Sequence, residues 1–356
     1  MKHVRVLVVD DSATMRRIIA ATLSGDSEIE VVGEAANPME ARQLIKSLNP
    51  DVITLDIEMP GMNGLDFLEK IMTLRPTPVV MVSSLTKRGT DATIRALELG
   101  AVCYAEKPTA ENPDSLDDLP EMTKMAAQAS LRSISRSSAR SKASAATCQP
   151  ANNYSGSSAG ARLIAIGSST GGVEALCSVL KHFPKDCPPV VVTQHMPAHF
   201  TSRFAERLDG LCAPQVKEAY NQAPLMPGHI YLAPGNDAHL TVSGKRNLQC
   251  RLVVGEKVMG HRPSVDMLFH SVAKAVGSDA VGVILTGMGQ DGAQGLLAMR
   301  QAGARTIGQD KRTCVVYGMP RVAHECGAVG SQMSLERIAG GVFSANLRER
   351  QTYASC

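Results

Sequence analysis

The sequence predicts two α/β domains, each built on a parallel sheet and separated by a linker. Three observations lead there. Short β-branched apolar runs alternate with segments of helical spacing before residue 123, the same alternation returns after residue 160, and a Ser/Ala-dominated stretch lies between. Strand and helix in alternation imply βαβ units and parallel strands. A chain of 356 residues is long enough for two such cores.

The runs "VRVLVVD" (4–10), "DVITLDI" (51–57) and "PVVMVSS" (78–84) have the length and branching of buried strands. Between the first two, "MRRIIAATL" and "PMEARQLIKSL" carry helical spacing, and Pro38 suits a first helical turn. The stretch "SLRSISRSSARSKASAATCQPANNYSGSSAG" (130–160) has Arg132, Arg136, Arg140 and Lys142 but no acid. It offers too little apolar surface to offset the entropy of ordering, so it predicts a flexible tether. Beyond it, "RLIAIG" (162–167), "PPVVVTQ" (188–194) and "AVGVILTG" (280–287) are the strands of the second sheet, each followed by a helical segment.

Bulk properties exclude several classes. A formal net charge of +3, 3% aromatic residues and no Trp argue against a nucleic-acid partner. No window holds the apolar run that a membrane span requires, so no membrane insertion is expected. The opening "MKHVRVLVVDD" turns acidic without a long apolar stretch and predicts no signal peptide. Nine cysteines without CxxC spacing indicate neither a zinc ribbon nor a redox dithiol, and free thiols suit a cytoplasmic protein.

In an open parallel sheet, ligands gather at the carboxyl ends of the strands. Asp10 and Asp11 end the first strand, Asp56 ends a later one, and Ser83 and Lys107 follow two more. Three carboxylates in one crevice repel one another unless a cation neutralises them, and hard oxygen ligands favour Mg²⁺. The segments "VLVVDDS", "DVITLDIEMPGMNGLDFL", "VVMVSS" and "EKP" resemble a response-regulator receiver domain. That resemblance implies a doubly wound, flavodoxin-like fold over residues 1–122, and the Ser/Ala-rich basic composition beyond it predicts the linker over 123–160. It implies Asp56 as the phosphoacceptor, with Asp10, Asp11, Asp56 and the Glu58 backbone carbonyl around Mg²⁺. Ser83 and Lys107 would contact the phosphoryl oxygens, Tyr104 stands at the aromatic switch position, and a histidine kinase would be the phosphodonor.

The loop "IGSSTGGVEAL" (166–176) has three readings. It is a phosphate cradle, a capped strand-to-helix turn, or a G-x-S-x-G nucleophile elbow presenting Ser169. The last needs a base and an acid. His195, just past "VVVTQ", shares the sheet edge, whereas His182, His199, His261 and His270 have no such placement. Asp291 in "AVGVILTGMGQDG" is the strand-end acid. A rival stands at the same place. Gly287 to Gly292 spell G-x-G-x-x-G after a strand, and Asp310 follows at the distance of a ribose-binding acid. Asp291 within that fingerprint would repel a pyrophosphate.

Taken together, "AIGSSTGGVEAL", "VTQHMP", "HRPSVDMLFHSVA", "GVILTGMGQDGAQGLLAMRQAGA" and "CVVYGMP" resemble the catalytic domain of the chemotaxis protein-glutamate methylesterases of the CheB type. The resemblance implies a parallel-sheet α/β esterase domain over 161–345. It implies Ser169 as nucleophile, His195 as general base, Asp291 as the orienting acid, and Thr170 and the Met288 backbone N–H as auxiliary and oxyanion groups. Ester hydrolysis would need no cofactor. The implied substrates are glutamate methyl esters, and glutamines, on methyl-accepting chemoreceptors, with activity raised by receiver phosphorylation. A binding-only adaptor is the alternative from another class.

Overall fold

The computed structural model describes residues 3–59, 63–84, 87–109, 112–129 and 161–344. The chain divides into two compact units. In the first, β1 (Val4–Val9), β2 (Ile29–Ala35), β3 (Val52–Asp56), β4 (Val79–Ser83) and β5 (Cys103–Glu106) form one sheet in the order β2-β1-β3-β4-β5. All its pairings are parallel. Its helices are α1 (Ala13–Ser24), α2 (Pro38–Leu48), α3 (Gly64–Leu74), α4 (Lys87–Glu98) and α5 (Leu119–Ala127). Strands β3 and β4 are buried along their full length, as their unbroken apolar runs require. The edge strand β2 is half-exposed, so "IEVVGEA" lacks the long apolar run by which its neighbours are recognised.

Local signals fix the helix starts. Ser12 accepts the Met15 N–H, and the Asn37 side chain accepts the N–H groups of Met39 and Glu40 ahead of α2. The expected receiver boundary at residue 122 needs correction. Helix α5 runs to Ala127 because Leu119, Thr123 and Ala126 face inward, so the expected linker 123–160 starts inside a packed helix. The rest of that linker, 130–160, lies outside the described residues, as does everything beyond Ser344.

In the second unit, seven parallel strands follow the order β14-β13-β12-β6-β7-β9-β8. They are β6 (Leu163–Ser168), β7 (Val190–Gln194), β8 (Gln215–Glu218), β9 (His229–Leu232), β12 (Ala280–Ile284), β13 (Arg305–Gln309) and β14 (Ser331–Met333). A separate antiparallel hairpin, β10 (Ala238–Ser243) with β11 (Gln249–Val254), is added to the parallel plan. The helices are α6 (Gly172–Leu180), α7 (Ala198–Asp209), α8 (Val265–Ala275), α9 (Ala293–Gln301), α10 (Met319–Glu325) and α11 (Leu335–Phe343). A core of β-sheet and helix side chains, including Leu163, Val191, Leu268, Phe269 and Leu296, is fully shielded from water.

The order of strands decides where ligands can enter. From β6 the chain proceeds to β7 on one side, while β12 pairs with β6 on the other. The connections leaving β6 and β12 diverge there and open a crevice at the carboxyl ends. Ser169 follows β6, and Gly287 and Asp291 follow β12. The equivalent switch in the first unit lies between β1, which Asp10 follows, and β3, which ends at Asp56. No described helix is long and apolar enough to cross a membrane.

Candidate active site and receiver site

At the first switch point, the Lys107 ammonium lies 2.9 Å from Asp10 Oδ2 and 2.8 Å from Asp56 Oδ2. Asp10 Oδ1 accepts the Ser12 N–H at 2.9 Å, and Asp56 Oδ1 accepts the Glu58 N–H at 3.2 Å. Burial pushes the Asp56 carboxyl up to about 6, with Asp10 adding to the rise and Lys107 opposing it. Burial works against the Lys107 charge, but the two carboxylates overcome it and raise its pKa. Carboxylate oxygens of Asp10, Asp11 and Asp56 all lie within 4.8 Å of one another, a set of hard ligands suited to a divalent cation. Ser83 is buried at the end of β4, and its hydroxyl donates to the Ser84 carbonyl at 3.2 Å rather than toward Asp56. Burial, above all, also raises the Tyr104 hydroxyl pKa.

At the second switch point, His195 Nε2–H donates to Asp291 Oδ2 at 2.8 Å. An ionised carboxylate only accepts, so this contact puts the ring proton on Nε2 and the lone pair on Nδ1. That Nδ1 is buried and has no hydrogen-bond partner. Asp291 itself is held at the start of α8. Its Oδ2 accepts the Val265 N–H at 2.7 Å, and its Oδ1 accepts the Ser264 hydroxyl at 2.9 Å and the Asp266 N–H at 3.0 Å. A carboxylate at a helix N-terminus is stabilised by the unpaired N–H groups there. Burial alone would raise the Asp291 pKa, but the His195 contact and these N–H donors hold it below the ordinary carboxylate value.

Ser169 turns sharply out of β6. Its N–H donates to the Thr286 carbonyl at 3.0 Å, and its carbonyl accepts the Gly172 N–H at 2.7 Å. The turn needs Gly171, whose φ of +75° is left-handed and whose added Cβ would lie 2.6 Å from Val315 Cβ. A Cβ on Gly287 would come within 2.8 Å of Ser169 Cβ, so the Gly287-Met288 backbone passes close against the serine. Met288 is 37% exposed. Thr170 holds the loop to the segment after β12 through its carbonyl, which accepts the Thr286 hydroxyl at 3.0 Å. The structure thus pairs His195 with Asp291 and brings Ser169 to the same strand ends, without a hydrogen bond to His195 Nδ1.

Two groups escaped the sequence reading. Gln194, beside His195, is buried and reaches both the Ser169 and His195 carbonyls. The ring of His261 stacks on that of His195, with centroids 3.7 Å apart and planes 13° from parallel. Burial, with the neighbouring His195, lowers the His261 pKa to about 4, so this ring is neutral near pH 7. Gln194 was visible only as the residue before His195. His261 stands 66 positions along from His195 and had no periodicity to mark it.

Residues 164–342 match the CheB methylesterase family, and residues 6–117 match the response regulator receiver domain. The protein-glutamate methylesterase/protein-glutamine glutaminase 1 of Caulobacter vibrioides is 57% identical over 345 residues, covering 96% of this chain and 98% of that protein. The chain belongs to the CheB methylesterase family.

Other members agree with that assignment. The protein-glutamate methylesterase/protein-glutamine glutaminase of Agrobacterium fabrum is 58% identical over 347 residues, covering 98% of both chains. The crystal structure of the Thermotoga maritima CheB methylesterase catalytic domain covers 51% of this chain and 97% of its own, with 37% identity and a TM-score of 0.50. As a CheB methylesterase, the chain has no place for the dinucleotide reading of Gly287–Gly292. The Asp291 carboxylate is instead bound by the start of α8 and by His195, and a Cβ on Gly292 would lie 2.5 Å from Val265 Cγ1. Gly287 and Gly292 allow close packing against Ser169 and Val265, whereas Gly289 supplies a left-handed φ of +80°. Asp310 accepts the Thr313 N–H and hydroxyl at 3.0 and 2.6 Å, which closes a local turn.

Proposed function

We propose that this chain is a phosphorylation-activated hydrolase that removes methyl groups from glutamate methyl esters of chemoreceptors and deamidates receptor glutamines. The single observation that supports it most is the His195–Asp291 pair beside Ser169, with Nδ1 of His195 buried and unpartnered. In this reading Nδ1 takes the Ser169 Oγ proton as Oγ attacks the ester carbonyl. The new Oγ–C bond gives a tetrahedral oxyanion, for which the Met288 N–H is the donor, assisted by Thr170. Collapse breaks the C–OCH₃ bond, and the imidazolium returns its proton to the departing oxygen, releasing methanol. Water, activated by the same Nδ1, then cleaves the acyl-enzyme and leaves a free glutamate carboxyl. An amide side chain passes through the same intermediate and releases ammonia. Asp291 keeps the ring in the required tautomer and offsets its positive charge.

In the receiver, Asp56 is the phosphoacceptor and a chemotaxis histidine kinase the donor. Ser83 and Lys107 bind the phosphoryl oxygens once it arrives. The three clustered carboxylates and the Glu58 carbonyl suit Mg²⁺, which when bound would offset negative charge on the transferring group. Family membership supports a cytoplasmic enzyme. Methanol release from methylated receptor membranes, with and without a small-molecule phosphodonor and Mg²⁺, tests the proposal. Stimulated release that disappears in Ser169→Ala is the expected result. Release that survives Ser169→Ala would remove Ser169 as nucleophile.

A further inference from the structure

The parallel ladder between β6 and β7 ends at the pair Ser168 and Gln194. One backbone bond follows, from the His195 N–H to the Ser168 carbonyl at 3.1 Å. Then the chains part, Ser169 turning into α6 and His195 into the loop before α7. The nucleophile and base candidates therefore stand on two diverging segments with no further rung between them. The Gln194 side chain supplies one. Its Nε2 donates to the Ser169 carbonyl at 2.9 Å and to the His195 carbonyl at 3.1 Å, and its Oε1 accepts the Ser168 hydroxyl at 2.7 Å.

We propose that Gln194 is a positioning residue for the reaction, its buried amide fixing the Ser169 and His195 backbones in one register. This rests on the reading of Ser169 as nucleophile and His195 as base. The amide orientation is determined, because a flipped amide would set Oε1 against two carbonyl oxygens. Gln194 is 3% exposed, so its donors have no water to fall back on and the clamp stays closed. The neighbouring sequence makes room for it. A Cβ on Gly172 would lie 2.0 Å from Gln194 Oε1, so the second glycine of "STGG" is the space that the amide occupies. A side chain chosen for packing alone needs neither the two donors nor this clearance. Reaction geometry tolerates little slack, since about 1 Å of misplacement can lower a rate roughly 100-fold.

The test uses the full chain and methanol release from methylated receptor membranes, with the rate of Ser169 labelling by a small sulfonyl fluoride as a second readout. Gln194→Leu keeps the volume and removes both donors. It is expected to lower kcat on the order of 10–100-fold with KM within about 2-fold, at temperatures well below thermal unfolding. Labelling slows in parallel, because it needs the same Ser169–His195 alignment without the receptor. Ser168→Ala leaves the amide but frees its Oε1, and is expected to lower kcat roughly 3–10-fold. In the double variant the two losses do not add. Wild-type kcat in Gln194→Leu, or a raised KM with kcat unchanged, would overturn the proposal. If Gln194→Leu does not fold, unchanged kcat in Ser168→Ala overturns it instead. A wild-type enzyme that releases no methanol and resists labelling would fail the nucleophile reading itself, which separates the two failures.

Discussion

Asp291 Oδ2 receives two hydrogen bonds, from His195 Nε2 at 2.8 Å and from the Val265 N–H at 2.7 Å. The acid therefore orients the imidazole while the start of α8 orients the acid. Asp291→Asn would set an amide N–H₂ against one of these donors. Turnover is expected to fall about 10³–10⁴-fold, from the wrong imidazole tautomer. Folding stability is expected to drop by about 2 kcal/mol, from the unpaired donor. Methanol release and chemical denaturation measure the two separately. Full activity in this variant would remove Asp291 from the mechanism.

Asp56 and Lys107 are joined at 2.8 Å, so phosphorylation of Asp56 must disturb an existing ion pair. Phosphodonor stimulation of methanol release is expected to vanish in Asp56→Asn, and in wild type treated with a chelator. Lys107→Met is expected to weaken stimulation by an order of magnitude or more, because the phosphoryl group loses its cationic partner. Stimulation persisting in Asp56→Asn would mean that another group receives the phosphoryl.

Gly171→Ala combines a left-handed φ of +75° with a Cβ 2.6 Å from Val315 Cβ. Strain and overpacking together are expected to destabilise the catalytic unit by about 2–4 kcal/mol, lowering its Tm by roughly 5–10 °C. Ser169 labelling should slow as well, since the serine turn cannot keep its shape. A variant with unchanged Tm would show that the turn relaxes without strain.

His261 gives the catalytic unit a pH signature. Its pKa is lowered to about 4 in the folded chain against an ordinary 6.5, so the unfolded chain binds its proton first as pH falls. Its contribution to stability is complete above about pH 6.5 and is lost as pH drops toward 4. After allowance for solvent screening, the loss is about 1–2 kcal/mol. Denaturant midpoints of wild type and His261→Gln between pH 4 and pH 7 check the sign. The variant should show the shallower slope, and equal slopes would mean that His261 does not titrate in this range.

Much of this protein could be read in one dimension. The alternation of "VRVLVVD", "DVITLDI" and "PVVMVSS" with helical segments is local, because buried parallel strands need unbroken apolar runs wherever they occur. So is the position of Asp10, Asp56, Ser169, His195 and Asp291 at strand ends, where the switch-point rule concentrates chemistry. Local signals failed at the half-exposed β2 and at the end of α5. There, Thr123 and Ala126 are buried by packing that their own sequence does not announce.

What the sequence determined was which side chains reach the two crevices and which chemistries they permit. The tertiary structure alone decided how they are held. His195 uses Nε2 for Asp291, 96 residues away, and that choice leaves the ring's lone pair on Nδ1. Gln194 bridges two backbones, His261 covers the His195 ring, and Asp291 of the Gly287–Gly292 loop turns its carboxylate to the start of α8. Each of these depends on distance and direction between residues far apart in the chain. Hydrogen bonds are directional within a few tenths of an ångström, whereas apolar burial is not. Pattern therefore suffices for the core, and only the folded geometry settles the site.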